Sequence, residues 1–250
     1  MKTHIFIKTY PKDFVWLEWC LKSIQKFCSG FTGISIVCDI SESGDFPVGV
    51  VSTMRDVSVF WVDPPANCNG YIYQQAVKLQ ALDYCPQGTE VILYVDSDVV
   101  FFRDVTPENL LNSNGKVIVL KEKYSKLLMD KNPAAKWQRP TEIAVGVRPY
   151  SEYMRRMPLA FHANTLRHIR VRYPHWIPAL LTGAWKEFSE FNAMGFVADL
   201  QQNADKANDL YDFRDVDLIA PDPPYCKQYW SWGGLQEEHL AEIKGFLKCE

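Results

Sequence analysis

The chain has 250 residues and a formal net charge of −3 at pH 7, with 47% hydrophobic and 14% aromatic residues. These values are typical of a globular protein with a sizeable core, built as one large α/β domain or two small ones. A net charge this close to zero does not by itself predict a polyanionic partner. The seven cysteines are odd in number and widely spread, without a C-x-x-C pair, which is typical of a reduced, intracellular protein and not of a disulfide framework.

The sequence shows no run of apolar residues that approaches the length of a membrane-spanning segment. The apolar stretch near the N-terminus, Ile5–Ile7, is too short for the core of a signal peptide. We therefore expect no transmembrane segment and a cytoplasmic location, in the host cytoplasm if the source is a virus.

The first half of the chain alternates between strand and helix patterns. The helix that Pro11 opens repeats apolar residues at helical spacing, from Leu17 to Cys28. The alternation predicts a mostly parallel sheet with right-handed crossovers and flanking helices. The expected strands are His4–Tyr10, Gly33–Ile40, Val57–Val62, Val91–Val95 and Lys116–Leu120, and the expected helices are the one after Pro11, Gly70–Tyr84 and a helix that starts at Thr106.

The second half is less regular, and we expect no repeat or linker in it. Ser41–Val50 in the first half and Lys121–Pro140 in the second are expected to be irregular because both are polar. A short helix is expected before Pro174, a longer one over Ala184–Leu200, and a closing helix from about Leu235.

Two carboxylates, Asp96 and Asp98, stand between two apolar runs, Val91–Val95 and Val99–Phe102. Side chains two positions apart on an extended chain point the same way, so both could bind one divalent cation, and oxygen ligands suit Mg²⁺ or Mn²⁺. Ligands of open α/β sheets bind beyond the carboxyl ends of strands, where this pair is expected. Asp215 and Asp217 have the same spacing but polar neighbours, and they are interpreted as a solvated turn.

Three segments carry a resemblance to a known family: Tyr94–Phe102 (YVDSDVVFF), the preceding helix with Gln74, Gln75 and Lys78, and Phe188–Gly195 (FSEFNAMG). Together they resemble the GT-A-fold glycosyltransferases, whose central strand ends in a D-x-D motif. In the third segment Met194 replaces the usual tyrosine. Ser231–Gly234 (SWGG) is similar to a little-characterised branch of that group, common in bacterial and phage genomes.

The resemblance implies one GT-A-like domain over residues 1–250, with a Rossmann-like, mostly parallel sheet. Residues 1–125 would bind a nucleotide sugar, and the irregular residues 126–250 would bind the acceptor. The implied enzyme is a hexosyl- or pentosyltransferase that moves a sugar from a nucleoside-diphosphate sugar, with UDP as the expected nucleotide, to an acceptor hydroxyl. It would depend on Mn²⁺ or Mg²⁺.

The implied metal site has Asp98 as a direct ligand, Asp96 on the metal or the ribose, and His239 as a further ligand. The donor site would use Asp39, Thr9 and Tyr10 for the ribose or base and Lys78 for the diphosphate. Glu190 would activate an acceptor hydroxyl or orient the acceptor, as a candidate catalytic residue beside Asp98.

The acceptor is suggested by charge. Seven of the ten arginines fall between Arg139 and Arg172, and residues 131–175 contain nine Lys and Arg against two Glu, a net charge of +7. Arginine interleaved with aromatic residues suits phosphate clamping and stacking, so DNA (including a hydroxymethylated base in phage DNA), a lipid diphosphate or an anionic glycan is a candidate acceptor. The expected acceptor-binding residues are Arg155, Arg156, Arg167 and Arg170.

Two other functions remain open from the sequence. A nucleotidyltransferase also uses paired acids on such a sheet, but the loop after the first strand lacks the expected glycine. A non-enzymatic nucleic-acid-binding protein could use Arg139–Arg172, although this leaves Asp96 and Asp98 without a role. Dehydrogenase, kinase and hydrolase functions are disfavoured because G-x-G-x-x-G, P-loop and G-x-S-x-G motifs do not occur.

Overall fold

The computed structural model describes residues 1–40, 45–66, 68–155, 157–201, 208–212 and 225–248. The described strands are β1 (Thr3–Thr9), β2 (Ile34–Asp39), β3 (Val57–Val62), β4 (Val91–Tyr94), β5 (Val99–Phe101), β6 (Val117–Lys123), β7 (Ser151–Glu152), β8 (Leu159–His162), β9 (Asn208–Asp212) and β10 (Cys226–Gln228). The described α-helices are α1 (Phe14–Phe27), α2 (Val48–Val51), α3 (Gly70–Leu79), α4 (Tyr124–Met129), α5 (Gln138–Val145), α6 (Ala163–Arg172), α7 (Trp176–Leu181), α8 (Glu190–Gln201) and α9 (Glu237–Leu247).

Among the described residues, the central sheet has five strands in the order β3-β2-β1-β4-β8. The first four are mutually parallel, and β8 runs antiparallel to β4, with Leu159 opposite Tyr94 and His162 opposite Val91. The predicted mostly parallel sheet flanked by helices is confirmed. The fifth strand comes from the second half of the chain and was not predicted.

The described residues also form two smaller sheets. Strand β5, directly after Asp98, pairs antiparallel with β10 near the C-terminus. Strand β6 lies between β7 and β9, antiparallel to the first and parallel to the second. The pairing of β5 with β10 brings residues 225–234 against the end of β4.

The sheet is buried between two apolar layers because its side chains alternate between faces. On β1, Ile5 and Ile7 pack into the cluster that contains the apolar face of α1, whereas Phe6 packs with residues of α3 and α8. The predicted buried face of α1 is confirmed: Leu17, Cys20, Leu21 and Ile24 are at most 3% exposed.

The sequence expectations were wrong for two segments taken as irregular and for the start of one helix. A short helix, Val48–Val51, begins within Ser41–Val50, and Lys121–Pro140 contains the end of β6, α4, a 3₁₀ helix and the start of α5. That segment was misjudged because its polar residues cover exposed helix faces, while Asn132 caps the 3₁₀ helix by accepting a hydrogen bond from the Ala134 amide at 2.9 Å. Helix α8 begins at Glu190, six residues later than expected, since Trp185 and Phe188 stack on each other ahead of it.

Asp215, Asp217 and Arg156 lie outside the described residues. In the part of the chain that the structure describes, no helix has both the length and the apolarity needed to cross a bilayer.

Candidate active site at the carboxyl edge of the central sheet

Asp98 is held by the C-terminal segment of the chain. Its Oδ2 accepts a hydrogen bond from the Ser231 amide at 2.8 Å, and its Oδ1 accepts one from Gln228 Nε2 at 3.3 Å. Its backbone carbonyl accepts another from the Tyr229 amide at 3.0 Å. These contacts follow from the pairing of β5 with β10, and they fix the second acid of the D-x-D motif in a buried position.

The site concentrates negative charge. Burial, and next the charge of Asp96, raise the pKa of Asp98 to about 6. Burial also raises the pKa of Asp13, whose Oδ2 accepts a hydrogen bond from Ser97 Oγ at 3.2 Å. A divalent cation would relieve this crowding of carboxylates.

The donor set fits such a cation. Among the described residues, no group of three or more His, Cys, Asp or Glu side chains could hold a metal ion by itself. Mg²⁺, however, is usually bound through one or two carboxylates together with substrate phosphates and water. Asp96 and Asp98 supply the carboxylates that this arrangement needs.

A buried lysine joins the first acid of the motif to helix α8. Lys78 Nζ lies 2.9 Å from Asp96 Oδ1 and 3.0 Å from Glu190 Oε1, and its side chain is 5% exposed. Burial opposes its charge, but Asp96 and Glu190 outweigh burial and raise the pKa of Lys78. The amide of Glu190 donates to Gln75 Oε1 at 3.3 Å, which anchors the start of α8 on α3.

A second buried lysine lies at the carboxyl ends of β1 and β2. Lys8 Nζ donates to Asp39 Oδ1 and to the Thr9 carbonyl, each at 2.6 Å. Burial lowers the pKa of Lys8 although Asp39 opposes this shift. The hydroxyl of Thr9 is buried and has no hydrogen-bond partner among the described residues. A buried polar group with an unpartnered hydroxyl therefore lies at the carboxyl ends of β1 and β2.

The chain matches no family model and no curated protein sequence. Among solved structures, it is similar to the galactosyltransferase LgtC in complex with donor and acceptor sugar analogs. The TM-score is 0.56 at 12% identity, over 97% of this chain and 95% of that one. An active-site mutant of LgtC gives a TM-score of 0.55 at 14% identity, over the same shares of the two chains. This chain has the GT-A fold.

The GT-A fold predicted from the sequence is thus confirmed, and it puts Asp96 and Asp98 at the edge where open α/β sheets bind ligands. Lys78, Glu190, Thr9 and Asp39 were also expected at a site, and they lie at this edge or are linked to it by the contacts above. Tyr10 lies there too, 38% exposed, with a pKa that burial and then Asp13 raise.

His239, the predicted third metal ligand, lies at the start of α9 beside two aromatic rings. Its Nδ1 accepts a hydrogen bond from the Gln236 amide at 3.3 Å at the start of α9. Its ring packs 5.6 Å from that of Trp16 and 5.3 Å from that of Tyr229. Its role as a metal ligand stays a prediction.

The arginines expected to bind the acceptor are dispersed. Arg155 is buried in ion pairs with Glu122, at 2.9 Å, and Glu152. On α6, Arg167 donates to Asn164 at 2.8 Å, and Arg170 pairs with Asp83 at 2.7 Å. Arg155 therefore has its charge met inside the protein, and acceptor binding by all four stays a prediction.

Sequence reasoning missed the residues that surround Asp98. Asp13, Gln228 and Ser231 carry no local signal of their roles, because the contacts of Asp13 with Ser97 and of Ser231 with Asp98 span 84 and 133 positions. The sequence distinguishes the SWGG segment, Ser231–Gly234, only by its family resemblance. Trp230, with a left-handed φ of 59°, and Trp232, 88% exposed, flank Ser231, whose amide contacts Asp98.

Proposed function

We propose that this chain is a metal-dependent glycosyltransferase that moves a hexosyl or pentosyl group from a UDP-sugar to an acceptor hydroxyl. One observation carries the proposal: Asp96 and Asp98 end the central strand of a GT-A fold, and Asp96 is joined through buried Lys78 to Glu190. The described residues give the paired acids a setting that a protein binding only nucleic acid would not need.

Asp96 and Asp98 would hold Mn²⁺ or Mg²⁺ together with the donor diphosphate. When bound, the ion supplies Lewis-acid stabilisation of the negative charge that grows on the leaving diphosphate. The Ser231 amide and Gln228 orient the carboxylate of Asp98 before the donor arrives, so little reorganisation is needed on binding.

The nucleoside would bind against Thr9, Tyr10 and Asp39 at the carboxyl ends of β1 and β2. Lys8 contacts Oδ1 of Asp39, and in the described part of the chain Oδ2 would be left to accept from a ribose hydroxyl or a base N–H. The unpartnered hydroxyl of Thr9 would gain a hydrogen bond from the nucleoside, which removes the cost of an unsatisfied buried group.

Glu190 would orient or activate the acceptor hydroxyl. Lys78 contacts its Oε1 and leaves Oε2 for the acceptor, while the ion pair fixes the distance between Glu190 and Asp96. Lys78 itself would face the donor diphosphate from this position.

The acceptor would bind on the side of residues 126–250. The positive charge of residues 131–175 supports an acceptor that carries phosphate or carboxylate groups, such as DNA with a hydroxymethylated base or an anionic glycan. The exposed faces of Trp230 and Trp232 offer apolar surface on which a sugar ring could pack.

The test incubates the protein with a panel of nucleotide sugars, with and without Mn²⁺. Hydrolysis is measured as the amount of free nucleoside diphosphate released. We expect Mn²⁺-dependent release from one donor, lost in Asp98→Asn and retained in Asp104→Asn, an exposed aspartate six positions further on. Failure of every donor to react or to bind in the presence of Mn²⁺ would contradict the proposal. Equal activity of the two variants would remove Asp98 from the mechanism.

A further inference from the structure

A cleft of about 610 Å³ lies between strand β6, helix α4 and the segment that joins α5 to β7. Its walls are tied together: the Tyr124 amide donates to the Tyr150 carbonyl at 2.8 Å, and Gln138 Nε2 donates to the Pro149 carbonyl at 2.9 Å. These bonds join segments that are far apart in sequence, so the cleft is formed before any ligand arrives.

The alternation of β6 separates the charges of this region onto two faces. Glu122 points to one face, where it and Glu152 pair with buried Arg155. Lys121 and Lys123 point to the other face and line the cleft. The carboxylates nearest in sequence are therefore already paired on the far side of the strand.

The lining of the cleft is cationic. Lys121, Lys123 and Arg148 line it, and no Asp or Glu among the described residues does. Lys121 pairs with Asp199 at 3.2 Å, but Lys123 and Arg148 form no ion pair within the described ranges, and Arg148 donates only to neutral Gln138 at 3.3 Å. Two exposed cations in a concave surface are a ready site for an anion.

An aromatic ring stands at the same cleft. Tyr150 lines it and is 89% exposed, between buried Pro149 and Ser151. A ligand that packs against this ring would remove its apolar surface from water. A sugar ring suits this contact because it is apolar on one face and polar at its edges. Arg148 and Tyr150 belong to the arginine- and aromatic-rich segment that the candidate active site did not account for.

We propose that this cleft binds one anionic sugar unit of a glycan, with its carboxylate or phosphate group on Lys123 and Arg148 and its ring against Tyr150. The volume lies in the range of small-ligand pockets and holds a single sugar, whereas a DNA duplex would need an extended basic surface. The inference deepens the proposed function, since the glycan would be the acceptor or a remote part of it.

The experiment titrates the full chain with each probe and measures the backbone amide chemical shifts of Arg148, Tyr150 and Ser151. The probes are methyl β-D-glucuronoside and glucose 6-phosphate, with neutral methyl β-D-glucoside as the matched control. We expect both anionic probes to bind at least about tenfold more tightly than the glucoside, with binding that weakens as NaCl rises from about 0.05 to about 0.5 M.

The variants assign the binding to the cleft. Lys123→Glu with Arg148→Glu should weaken the anionic probes at least about tenfold, and Tyr150→Ala should weaken both classes of probe. Lys244→Glu, an exposed lysine on α9, is the matched control and should leave binding unchanged. All four substituted side chains are exposed, so the fold should be retained.

Equal affinity for the anionic and neutral probes, no amide shift at Arg148, Tyr150 and Ser151, or unchanged binding in the double variant would overturn the inference. Displacement of the probes by a short DNA duplex, with tighter binding of the duplex, would replace the sugar by nucleic acid. The readout is independent of catalysis. Probe binding without any donor hydrolysis would support the cleft as a sugar-binding site and reject only its role in sugar transfer.

Discussion

Lys78 and Glu190 form a buried ion pair at 3.0 Å although 112 positions separate them in the sequence. The pair ties α3, which precedes the central strand, to the first turn of α8 in the second half of the chain. Because Lys78 also contacts Asp96 at 2.9 Å, the two halves share one charge network at the D-x-D motif. The network is both a structural link and the centre of the proposed site.

Removing the lysine from this network should cost much stability. Lys78→Met leaves two carboxylates without their shared cation, and we expect the free energy of unfolding to fall by about 3–5 kcal/mol. Lys22→Met, which removes the half-exposed pair with Glu18, should cost less than about 1 kcal/mol. Chemical denaturation of both variants measures the difference, and similar losses would contradict the structural role of Lys78.

A second prediction concerns His4, which is 2% exposed and contacts Thr32 and Ser35. Burial lowers the pKa of His4 to about 4 from its ordinary 6.5. Below pH 6.5 the unfolded chain binds a proton that the folded protein does not, so stability is lost as pH falls from 6.5 towards 4.

The size of this effect follows from the shift in the pKa. We expect His4→Gln to reduce the loss of stability across that range by roughly 2–3 kcal/mol, whatever its stability at neutral pH. Denaturant titrations at several pH values test this expectation. Parallel pH profiles for the parent and the variant would show that His4 is not the group responsible.

Gly195 should tolerate no side chain. A Cβ at this position would lie 2.2 Å from Cβ of Tyr153, so Gly195→Ala must displace a fully packed tyrosine. We expect a loss of about 2–3 kcal/mol. Gly245 in α9 has open space at the same atom, and Gly245→Ala should stabilise by up to about 1 kcal/mol. Equal effects in thermal unfolding would show that α8 does not approach Tyr153 this closely.

Thr9 offers a test of the nucleoside pocket. Its buried hydroxyl lacks a partner among the described residues, so Thr9→Val should leave the free energy of unfolding within about 0.5 kcal/mol or raise it. Thr165→Val removes an acceptor from Asn208 Nδ2 at 3.0 Å and should cost about 1 kcal/mol.

The two variants should differ in UDP binding in the opposite order to their losses of stability. Thr9→Val should weaken UDP binding at least about fivefold in calorimetry, since it removes a proposed ligand contact worth about 1 kcal/mol. Thr165→Val should leave UDP binding unchanged. Unchanged UDP binding in Thr9→Val would take Thr9 out of the donor pocket.

Much of the first half was predictable because its signals are local. Val57–Val62 was assigned its observed bounds, and β1, β2 and β4 were placed within one or two residues, since long apolar runs between breakers predict buried strands. The D-x-D pair followed from its position at the end of such a run. Lys78 was expected opposite the apolar side of its helix, which is where the paired acids lie.

The rest depends on pairing between distant segments. Strand β8 is a run of only four residues near prolines, and such a run does not reveal whether it joins a sheet. The hydrogen bond from the Ser231 amide to Asp98 depends on the pairing of β10 with β5. Arg155 shows the same limit of sequence-based prediction. A basic residue in a basic segment is expected to be exposed, yet the side chain of Arg155 is 9% exposed and pairs with two glutamates.

The central claim is a metal site at Asp96 and Asp98, and its most direct test is binding of Mn²⁺ in the presence of UDP. Binding is measured as the loss of the electron-paramagnetic-resonance signal of free Mn²⁺. The parent should bind the ion with UDP, Asp96→Asn and Asp98→Asn should each bind it at least about tenfold more weakly, and Asp104→Asn should match the parent. Equal Mn²⁺ binding by the parent and all three variants would contradict a metal site at the carboxyl edge of the central sheet.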